Sequence, residues 1–280
     1  MRNLTILLVG ANSALSESLI PILSREHKVI RGARKNADCY IDLEKDVNIP
    51  SGIDVIINVA AFFDNDTDNI VISYETNTIG LLKLCLEAKK HKIKHFIQVS
   101  STSANVLKGS PFYTQYAISK RHAEEIVKHY CDINEIPLAI IRPSQIYGES
   151  DSFRKNQPLF YSMMDKAEKG DDILIYGSRN PLRNFIHADD VASCICEVIN
   201  QNKEGIFSCM YPKDTSFVEI AETAFRVFNS GGNILFDKEK DDIPDSIFEI
   251  DLSLYNTISR FPKIDLETGI KMIKKFRSEA

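Results

Sequence analysis

The residue pair most able to do chemistry is Tyr116 and Lys120, which frame the run Tyr-Ala-Ile-Ser-Lys. Positions i and i+4 share one face of a helix, so the ammonium of Lys120 can lie beside the phenol of Tyr116. A free tyrosine has a pKa of about 10, and a neighbouring positive charge favours the phenolate and lowers that pKa. The spacing therefore predicts an acid/base pair that works near neutral pH, although a surface pair without a chemical role has the same spacing.

A turn with a different chemistry follows the first apolar run, where Gly10 leads into a helical pattern through Leu19 and Ile22. A glycine-rich turn lets the backbone approach a pyrophosphate that rests on the helix N-terminus. Of the three glycines in the spacing G-x-x-G-x-x-G, only the first is present, and Ser13 and Ser16 occupy the other positions. By itself, the turn fits either a dinucleotide site or an ordinary strand-to-helix connection.

The elements that must position these residues alternate between short β-branched runs and stretches of helical periodicity. Such alternation predicts βα units that feed a mostly parallel sheet. An almost continuously apolar strand such as Val55-Ile56-Ile57 fits a sheet covered on both faces. A hydroxyl run, Ser100 to Ser103, directly follows one of these strands. The predicted strands are Leu4–Val9, Lys28–Arg31, Cys39–Ile41, Val55–Val59, Phe96–Val99 and Leu138–Ile141, and the predicted helices are Thr76–Lys90, Gln115–Tyr130 and Asp190–Ile199.

Length and composition limit the class of protein. The 280 residues correspond to one large domain or two modest ones, and a hydrophobic content of 44% is average for a globular chain. A formal net charge of −5 argues against a nucleic-acid partner, and no apolar run reaches the roughly 20 residues of a membrane span. The six cysteines show neither a disulfide framework nor metal-ligand spacing, so we expect reduced thiols, no metal and a cytoplasmic location. The run Leu4 to Gly10 could belong to a signal peptide, but a strand is favoured because similar runs recur downstream.

In their order along the chain, these motifs resemble the extended short-chain dehydrogenase/reductase family, in particular its NAD-dependent epimerase/dehydratase group, which acts largely on nucleotide sugars. The resemblance covers nearly the whole chain. It implies an α/β protein with a Rossmann-type doubly wound, mostly parallel sheet and a smaller C-terminal α/β substrate domain. Besides the glycine turn and the hydroxyl run, the segments that carry it are Asp54–Ala61, Asn77–Gly80, Tyr116–Lys120, Arg142–Gly148 and Arg183–Ala192.

By this resemblance, the catalytic residues are Ser101, Tyr116 and Lys120. Tyr116 would be the general acid/base, Lys120 would hold the nicotinamide ribose and lower the Tyr116 pKa, and Ser101 would hydrogen-bond the reacting oxygen, with Thr102 or Ser103 as alternatives. Substrate contacts are expected from Thr102, Gln145 and Arg183, of which Arg183 would contact a diphosphate. The residues expected at a nicotinamide cofactor are Gly10, Asn12, Ser13, Ala14, Arg34, Asp42, Leu43, Ala60, Ala61, Asn77, Tyr116, Lys120 and Pro143.

Three positions depart from the pattern of the family. Ser13 replaces a glycine and places a side chain where the pyrophosphate would meet bare backbone. Arg34 stands near the end of the second strand in place of an acidic residue that would bind the ribose 2′-hydroxyl of NAD. Because an arginine there can pair with a 2′-phosphate, NADP is favoured over NAD. Gln145 stands where many relatives have an asparagine at the sugar nucleotide.

The side chains after the hydroxyl strand separate the reaction classes that the resemblance allows. The run Thr102-Ser103-Ala104-Asn105 offers no carboxylate and no cysteine, which disfavours dehydration, decarboxylation and epimerisation next to a keto group. Hydride transfer at one carbon with proton transfer at its oxygen remains. Because Arg34 suggests NADP, the favoured reaction is reduction of a 4-keto nucleoside diphosphate sugar. A 4-epimerase and a catalytically silent nucleotide sensor or scaffold are the alternatives.

The expected dinucleotide-binding domain comprises residues 1–147 together with about 185–210, and the expected substrate domain comprises 148–184 and 211–280. The resemblance also implies a homodimer packed through the helices near 77–90 and 115–130. Their apolar residues exceed what one face of a sheet needs, and they include Leu82, Cys85, Leu86, Ile126 and Val127.

Overall fold

The computed structural model describes residues 3–64 and 66–279 and divides the chain into two compact units. The short segment Ser253–Arg260 returns to the first unit and has no counterpart in the sequence prediction. Unit 1 comprises Met1–Pro143, Ala192–Cys209 and Ser253–Arg260, and unit 2 comprises Ser144–Val191, Met210–Leu252 and Phe261–Ala280.

The predicted strands and helices all form, with ends that differ by a few residues. The strands are β1 (Thr5–Val9), β2 (Lys28–Ala33), β3 (Cys39–Tyr40), β4 (Val55–Asn58), β5 (His95–Val99), β6 (Leu138–Pro143), β7 (Gln145–Tyr147), β8 (Ile173–Tyr176), β9 (Leu182–Arg183), β10 (Phe185–His187), β11 (Gly205–Cys209), β12 (Thr215–Ser216) and β13 (Ile234–Asp237). The helices are α1 (Ala14–Leu23), α2 (Ile70–Tyr74), α3 (Gly80–Lys90), α4 (Gln115–Ile133), α5 (Pro158–Lys169), α6 (Ala188–Asn200), α7 (Phe217–Phe228), α8 (Ser253–Ile258) and α9 (Leu266–Glu279).

Unit 1 is built on a seven-stranded sheet in the order β11-β6-β5-β4-β1-β2-β3, and every pairing in it is parallel. All four residues of β4 are buried, as expected for a strand covered on both faces. Because the carboxyl ends of parallel strands meet at one edge of a sheet, the turns after β1, β4 and β5 lie along the same edge. These turns contain Gly10, Ala60 and Ser101.

The helical segment expected at Thr76–Lys90 begins earlier and changes its winding. Helix α2 leads into a single π-helical turn, Glu75–Ile79, and then into α3. A π turn inside a helix shifts the side chains that follow and is frequent at functional sites. Asn77 lies in this turn, so its position relative to the sheet differs from that of a regular helix.

Most of the apolar residues of α3 and α4 that were expected to face a second copy are buried or half-buried inside unit 1. Cys85 and Val127 are fully buried in one core cluster, and Leu82 and Ile126 are half-buried. Of the five residues expected to be in excess, only Leu86 is exposed, with 51% of its surface accessible. The prediction for Cys85 and Val127 was wrong because both helices pack their apolar stripes against the sheet and against each other.

Unit 2 contains three two-stranded sheets and a group of helices. The strand pairs β7 with β10 and β8 with β13 are parallel, and β9 with β12 is antiparallel. Helix α7 packs against both α5 and α9. Its Ser216 cap accepts a hydrogen bond from the backbone N–H of Glu219, which fixes the start of the helix.

All six cysteines are free thiols, and five of them are buried, the exception being Cys39. The expectation of reduced thiols stays a prediction. The run Leu4 to Gly10 provides β1, as favoured over a signal peptide. Within residues 3–64 and 66–279, no helix has the length and apolar character needed to cross a membrane.

Candidate active site

The junction between β5 and α4 brings Ser101 and Tyr116 together. After β5, the backbone remains extended at Ser101, whose Oγ accepts a hydrogen bond from the N–H of Ser103 at 3.1 Å and so caps the short turn Thr102–Asn105. Thr114 caps α4, and Tyr116 is the second residue of that helix. The Ser101 hydroxyl lies beside the Tyr116 phenol, near enough to act on its pKa. Of the three candidate hydroxyls, this geometry singles out Ser101, whereas Thr102 is buried.

The surroundings of Tyr116 raise its pKa instead of lowering it. Burial of the phenol raises the pKa to about 12, and the neighbouring Ser101 hydroxyl acts only partly against that effect. The ring of Phe63 packs edge-on against the Tyr116 ring, with centroids 4.8 Å apart. The expectation of a lowered pKa was wrong because desolvation outweighs any help from the lysine. Tyr116 therefore holds its proton at neutral pH.

Lys120 lies beneath Tyr116 in an environment that is unusual for an ammonium group. Its side chain is only 3% exposed, its Nζ donates to the carbonyl of Val99 at 3.3 Å, and Nζ lies 5.7 Å from the centroid of the Tyr116 ring. Burial lowers the Lys120 pKa to about 8, and the nearby carboxylate of Glu124 acts in the opposite direction. The i, i+4 spacing thus gives the juxtaposition predicted from the sequence.

Glu124 is itself held by a buried ion pair. The guanidinium of Arg142 on β6 donates to both carboxylate oxygens of Glu124, with Nε at 3.0 Å from each. The pair leaves Glu124 one turn from Lys120 on α4 as a compensated charge. Sequence reasoning identified Arg142 only as part of a motif, because the spacing of 18 residues to Glu124 carries no local signal.

Two buried amides clasp the segment that carries Phe63. Asn77 accepts from the N–H of Phe62 at 2.8 Å through Oδ1 and donates to the Phe62 carbonyl at 2.9 Å through Nδ2. Asn77 Nδ2 also lies 3.1 Å from Ser119 Oγ on α4. Gln115, the first residue of α4, donates to the carbonyls of Asp64 and Asp66. Both clasps connect the segment to α4, and sequence reasoning found only Asn77, which it assigned to the cofactor.

The turn after β1 has the backbone of a dinucleotide-binding turn. Gly10 has φ +87°, and a Cβ there would lie 2.6 Å from the backbone nitrogen of Ala60, so only glycine allows the two strand ends to approach this closely. Ser13 is the N-cap of α1, but its hydroxyl makes no capping hydrogen bond and instead lies 3.0 Å from Ser16 Oγ. Ser16 donates to the Gly10 carbonyl at 3.0 Å. The first N–H groups of α1 therefore remain for a phosphate, and the residues present fit a dinucleotide.

The other expected cofactor residues differ in how accessible they are. Asn12 is exposed and donates to the Lys35 carbonyl at 2.7 Å. Ala14 and Ala60 are half-buried and Ala61 is exposed, which leaves them open to a ligand. Leu43 is buried in the core against Gly80, where a Cβ would lie 2.5 Å from the Leu43 Cβ. Pro143 is buried at the end of β6 and lies opposite Cys209.

Arg34 and Asp42 both have protein partners. Arg34 is exposed, and its Nη1 lies 3.4 Å from Glu44 Oε1. The buried carboxylate of Asp42 accepts hydrogen bonds from the Tyr40 hydroxyl at 3.2 Å and from the Glu44 N–H at 3.2 Å. In the family, an acidic residue at the end of β2 binds the ribose 2′-hydroxyl of NAD. Here the carboxylate beside Arg34 comes from Glu44 instead. Sequence reasoning missed Glu44 because it lies ten residues further along the chain.

Unit 2 holds the two remaining substrate candidates. The backbone of Gln145 on β7 donates to the Asn184 carbonyl at 3.0 Å, and its side-chain Oε1 is buried without a hydrogen-bond partner among the described residues. Arg183 is buried, and its Nη1 donates to the carbonyls of Leu182 at 2.8 Å and Pro244 at 2.7 Å. Its guanidinium also lies over the ring of Phe217, 5.3 Å from the centroid. Arg183 thus has a structural role within unit 2 in addition to any contact with a ligand.

His187 remains neutral inside unit 2. It is fully buried, its Nδ1 accepts a hydrogen bond from the Asp189 N–H at 3.2 Å, and its ring packs at 90° on Tyr147. Burial lowers the His187 pKa to about 4. Its burial and packing indicate a structural role for this histidine.

Comparison with known proteins agrees with this architecture. The model of the NAD dependent epimerase/dehydratase family matches residues 6–209. A Methanocaldococcus jannaschii protein, provisionally named UDP-glucose 4-epimerase, is 26% identical over 246 residues, which are 83% of this chain and 79% of that protein. The UDP-N-acetylglucosamine 4-epimerase of Bacillus cereus has a similar structure, with a TM-score of 0.83 at 17% identity over 98% of this chain and 97% of that chain. RMD from Pseudomonas aeruginosa, solved with NADPH, gives a TM-score of 0.80 at 15% identity over 99% of each chain.

The structural likenesses are below 25% identity and support the fold, which confirms the α/β fold class with its mostly parallel sheet. The family match spans well over half of the chain, from β1 to the end of β11. It includes the turn after β1 and the Ser101, Tyr116 and Lys120 set. The chain therefore belongs to the NAD-dependent epimerase/dehydratase family, as the motifs implied.

Proposed function

We propose that this protein catalyses reversible hydride transfer at a carbon of a nucleoside diphosphate sugar that alternates between alcohol and ketone, with Tyr116 as the acid/base. The observation that carries the proposal is the set formed by Tyr116, the Ser101 hydroxyl beside its phenol, and the buried Lys120 beside its ring. Each group suits proton transfer at one oxygen. Chemistry of this kind needs no other ionisable side chain next to the reacting carbon.

A nicotinamide cofactor, when bound, supplies or accepts the hydride. The residues proposed to hold it are Gly10 and the start of α1, for the pyrophosphate, and Lys120, for the ribose nearest the nicotinamide. Tyr116 holds its proton at Oη at neutral pH, since its pKa is about 12, and it can therefore donate that proton to a carbonyl oxygen. Ser101 is proposed to hydrogen-bond the same oxygen, since its hydroxyl lies beside the Tyr116 phenol. In the opposite direction, Tyr116 must first lose its proton, which the positive charge of Lys120 favours.

The short turn after Ser101 disfavours the elimination reactions of the family. Its side chains are two hydroxyls, one methyl group and one amide, from Thr102 to Asn105, and it is closed by the hydrogen bond between Ser103 N–H and Ser101. A dehydration would need a further acid/base at this place. Interconversion at one carbinol carbon remains as the simplest chemistry for this set.

Two outcomes of that chemistry remain, and we place 4-epimerisation first. The Methanocaldococcus jannaschii relative, which aligns over 83% of this chain, carries a 4-epimerase name, as does the Bacillus cereus protein with the similar fold. A 4-epimerase oxidises the sugar and reduces it again from the other face, so Tyr116 acts once as base and once as acid.

Net reduction of a 4-keto sugar is the second candidate, because Arg34 is a cation near the end of β2. An arginine there suits the 2′-phosphate of NADPH, and RMD of similar fold was solved with NADPH. The carboxylate of Glu44 weakens the case, because it lies against Arg34 and can accept a hydrogen bond from a 2′-hydroxyl of NAD. Arg34 by itself favours NADP, but together with Glu44 it favours neither NADP nor NAD.

Cofactor stoichiometry separates the two reactions. The purified protein is incubated with UDP-, GDP-, CDP- and dTDP-linked sugars and their 4-keto forms, with NAD or NADPH. A 4-epimerase converts the sugar without net change in cofactor absorbance, whereas a reductase consumes one NADPH for each product. Tyr116→Phe is the matched control. If the wild type binds the cofactor but converts none of these sugars, the catalytic proposal is overturned in favour of a silent sensor or scaffold.

Gln145 is proposed as a substrate contact because its buried Oε1 lacks a hydrogen-bond partner among the described residues and could accept from a sugar or base N–H or O–H. Arg183 is the weaker candidate for the diphosphate, since backbone carbonyls already use its guanidinium. Gln145→Leu should raise KM for the nucleotide sugar and leave the dissociation constant of the cofactor unchanged. An unchanged KM would remove Gln145 from the substrate site.

A homodimer remains a proposal from the family resemblance. The exposed apolar residues on the continuous helix from α2 to α3 include Val71, Ile79 and Leu86. They offer a surface that a second copy could cover. The dimer interface would then consist of these exposed residues and not of the buried residues that were first expected in it. Sedimentation of the wild type and of Leu86→Glu tests it: dissociation of a dimer by the variant supports the interface, and a monomeric wild type excludes it.

A further inference from the structure

Three potential metal ligands meet at the edge of the unit 1 sheet opposite to the candidate active site. His27 immediately precedes β2, Glu26 is its neighbour, and Cys196 lies on α6. One ligand atom from each residue, a carboxylate oxygen, a ring nitrogen and Sγ, lies within 4.8 Å of the other two. No sequence motif indicates this cluster, since Cys196 follows His27 by far more than any metal-motif spacing.

Asn200 fixes the chemical state of His27. Its Nδ2 donates to Glu26 Oε2 at 2.9 Å and to Cys196 Sγ at 3.8 Å, so its Oδ1 is directed at His27 Nε2, 3.0 Å away. An amide oxygen is only an acceptor, so Nε2 must carry the ring proton. The lone pair of a neutral His27 is therefore on Nδ1.

That nitrogen is buried and has no hydrogen-bond partner among the described residues. His27 is only 6% exposed and Cys196 only 8%. Buried polar atoms are nearly always satisfied, so an unpartnered Nδ1 on a histidine whose ring lies within reach of a thiol and a carboxylate calls for a bound group. Metal-ligating histidines almost always donate their other N–H to an oxygen, as His27 does to Asn200.

We propose that Glu26, His27 and Cys196 bind a divalent zinc-class cation, with Asn200 as the residue that orients all three ligands. One imidazole nitrogen, one thiolate sulfur and one carboxylate oxygen form a donor set that zinc accepts in tetrahedral sites. At bond lengths of about 2.0–2.3 Å, the ligand atoms of such a site are about 3.5 Å apart, so the cluster must close by about 1 Å. Glu26 is exposed and can make most of that movement, and a water would complete the coordination.

The neighbouring charges do not occupy the proposed ligands. Arg25 and Arg260 are the cations near Cys196; the guanidinium of Arg260 pairs with Glu197 at 3.3 Å, and Glu26 accepts from Asn200. Because His27 precedes a parallel strand whereas Tyr116 and Ser101 follow the end of one, the ion would not take part in the reaction at Tyr116. It would join the loop before β2 to the last turns of α6, and so it would stabilise unit 1.

The test is a titration of metal-stripped full-length protein with Cd²⁺, in a Cys39→Ser background that removes the one cysteine that is not buried. We expect one equivalent to produce thiolate-to-cadmium absorption and to raise the thermal midpoint, because an ion that binds the folded state stabilises it by mass action. Cys196→Ser and His27→Gln should each lose both signals. Cys194→Ser, on the same helix and also buried, should retain them.

Asn200→Ala should weaken Cd²⁺ binding about 10–100-fold, the usual effect of removing a residue that orients metal ligands. Absence of one-to-one binding in the wild type, or equal binding in Cys196→Ser, would overturn the proposal. Circular dichroism of each metal-free variant shows whether it is folded, and Cys196→Ser is nearly isosteric with the wild type. No sugar or nicotinamide is present in the assay, so its outcome is independent of the proposed reaction.

Discussion

The turn after β1 and the junction between β5 and α4 face the same edge of the sheet but are built in opposite ways. In the turn, the two serines that replace glycines hydrogen-bond each other, and Ser16 also donates to the Gly10 carbonyl. These hydrogen bonds compensate for the loss of water around the hydroxyls. At the junction, a lysine is buried to 3% exposure and a phenol is desolvated enough to raise its pKa to about 12. A departure from a motif costs little stability where the new side chains satisfy each other's hydrogen bonds. Acid/base chemistry, in contrast, requires buried ionisable groups, and these reduce the stability of the fold.

The cost at the junction follows from the lysine pKa. A value of about 8 in place of 10.5 means that folding disfavours the charged form. A tenfold change in a protonation equilibrium corresponds to about 1.4 kcal/mol, so burial of Lys120 opposes folding by about 3 kcal/mol at neutral pH. The turn after β1 carries no comparable charge among the described residues. Substitutions in the two regions should therefore change stability in opposite directions.

Tyr116→Phe should have the largest effect, because it removes the proton that the reaction transfers. We expect kcat to fall about 10²–10⁴-fold, while cofactor affinity and the free energy of unfolding change little. Steady-state kinetics and cofactor titration measure these quantities. Unchanged turnover would show that another group, such as Ser101, acts as the acid/base.

Gly10→Ala should be the most destabilising change on the other side of the comparison. The left-handed backbone at Gly10 and the 2.6 Å approach to Ala60 leave no room for a Cβ. The free energy of unfolding should fall by about 2–5 kcal/mol, measured by urea denaturation, with a loss of cofactor binding. Gly109→Ala is the matched control, since Gly109 also has positive φ but an added Cβ there meets nothing within 4 Å. Equal losses for both variants would show that backbone strain alone, and not the contact with Ala60, determines the effect.

Lys120→Met should abolish activity and yet raise the free energy of unfolding by about 1–3 kcal/mol at pH 7. The folded-state pKa of about 8 lies below the unfolded value of 10.5, so the unfolded chain binds more protons between these two values. Wild-type stability should therefore gain a contribution from Lys120 as pH rises from about 8 to 10.5. That gain should be missing in the variant. Denaturation curves across this range check the sign, and a less stable variant at pH 7 would contradict the comparison.

Phe63→Ala should have a smaller effect on catalysis, about tenfold or less in kcat/KM, in keeping with the energy of one aromatic pair. Loss of the ring hydrates Tyr116 and lowers its pKa, so the alkaline limb of the pH profile for proton donation should move to lower pH. Phe63→Leu keeps an apolar group and should restore most of the limb. A pH profile that does not move would show that Phe63 does not influence the Tyr116 pKa and acts only through contact with the substrate.

Ser13→Gly should have the smallest effect, a gain of up to about threefold in cofactor affinity from an unobstructed backbone. Ser16→Ala is its counterpart, because it leaves the Gly10 carbonyl with only one of its two donors, the Ser13 N–H, and should destabilise the protein by about 1 kcal/mol. Calorimetry with NAD and NADPH measures the first variant, and urea denaturation measures the second. Weaker cofactor binding by Ser13→Gly would show that the serine hydroxyl itself contacts phosphate.

Arg34 and Glu44 test the cofactor preference on the side of the sheet edge that contains the turn after β1. Arg34→Ala should weaken NADPH more than NADH, and Glu44→Gln should strengthen NADPH, because a carboxylate 3.4 Å from the guanidinium repels a 2′-phosphate. Dissociation constants for both cofactors in both variants measure the preference. Equal losses of NADPH and NADH in Arg34→Ala would end the argument for NADP.

Local spacing was enough to predict part of the candidate active site. Tyr116 and Lys120 were found because helical periodicity places i and i+4 on one face, and Gly10 because a strand-to-helix turn needs its backbone freedom. Phe63, Gln115 and Glu44 were missed, since each acts through a partner between 10 and 53 residues away. No periodicity records such a distance.

By itself, the sequence predicted the order of strands and helices, the family, and the pairing of Tyr116 with Lys120, because these depend on local patterns and on their order along the chain. It left Ser101 open against Thr102 and Ser103. Only the tertiary structure decided the direction of the Tyr116 pKa, the pairing of Arg34 with Glu44, and the meeting of His27 with Cys196. Each of these depends on how much water and which charges surround a group, and packing of distant segments sets both.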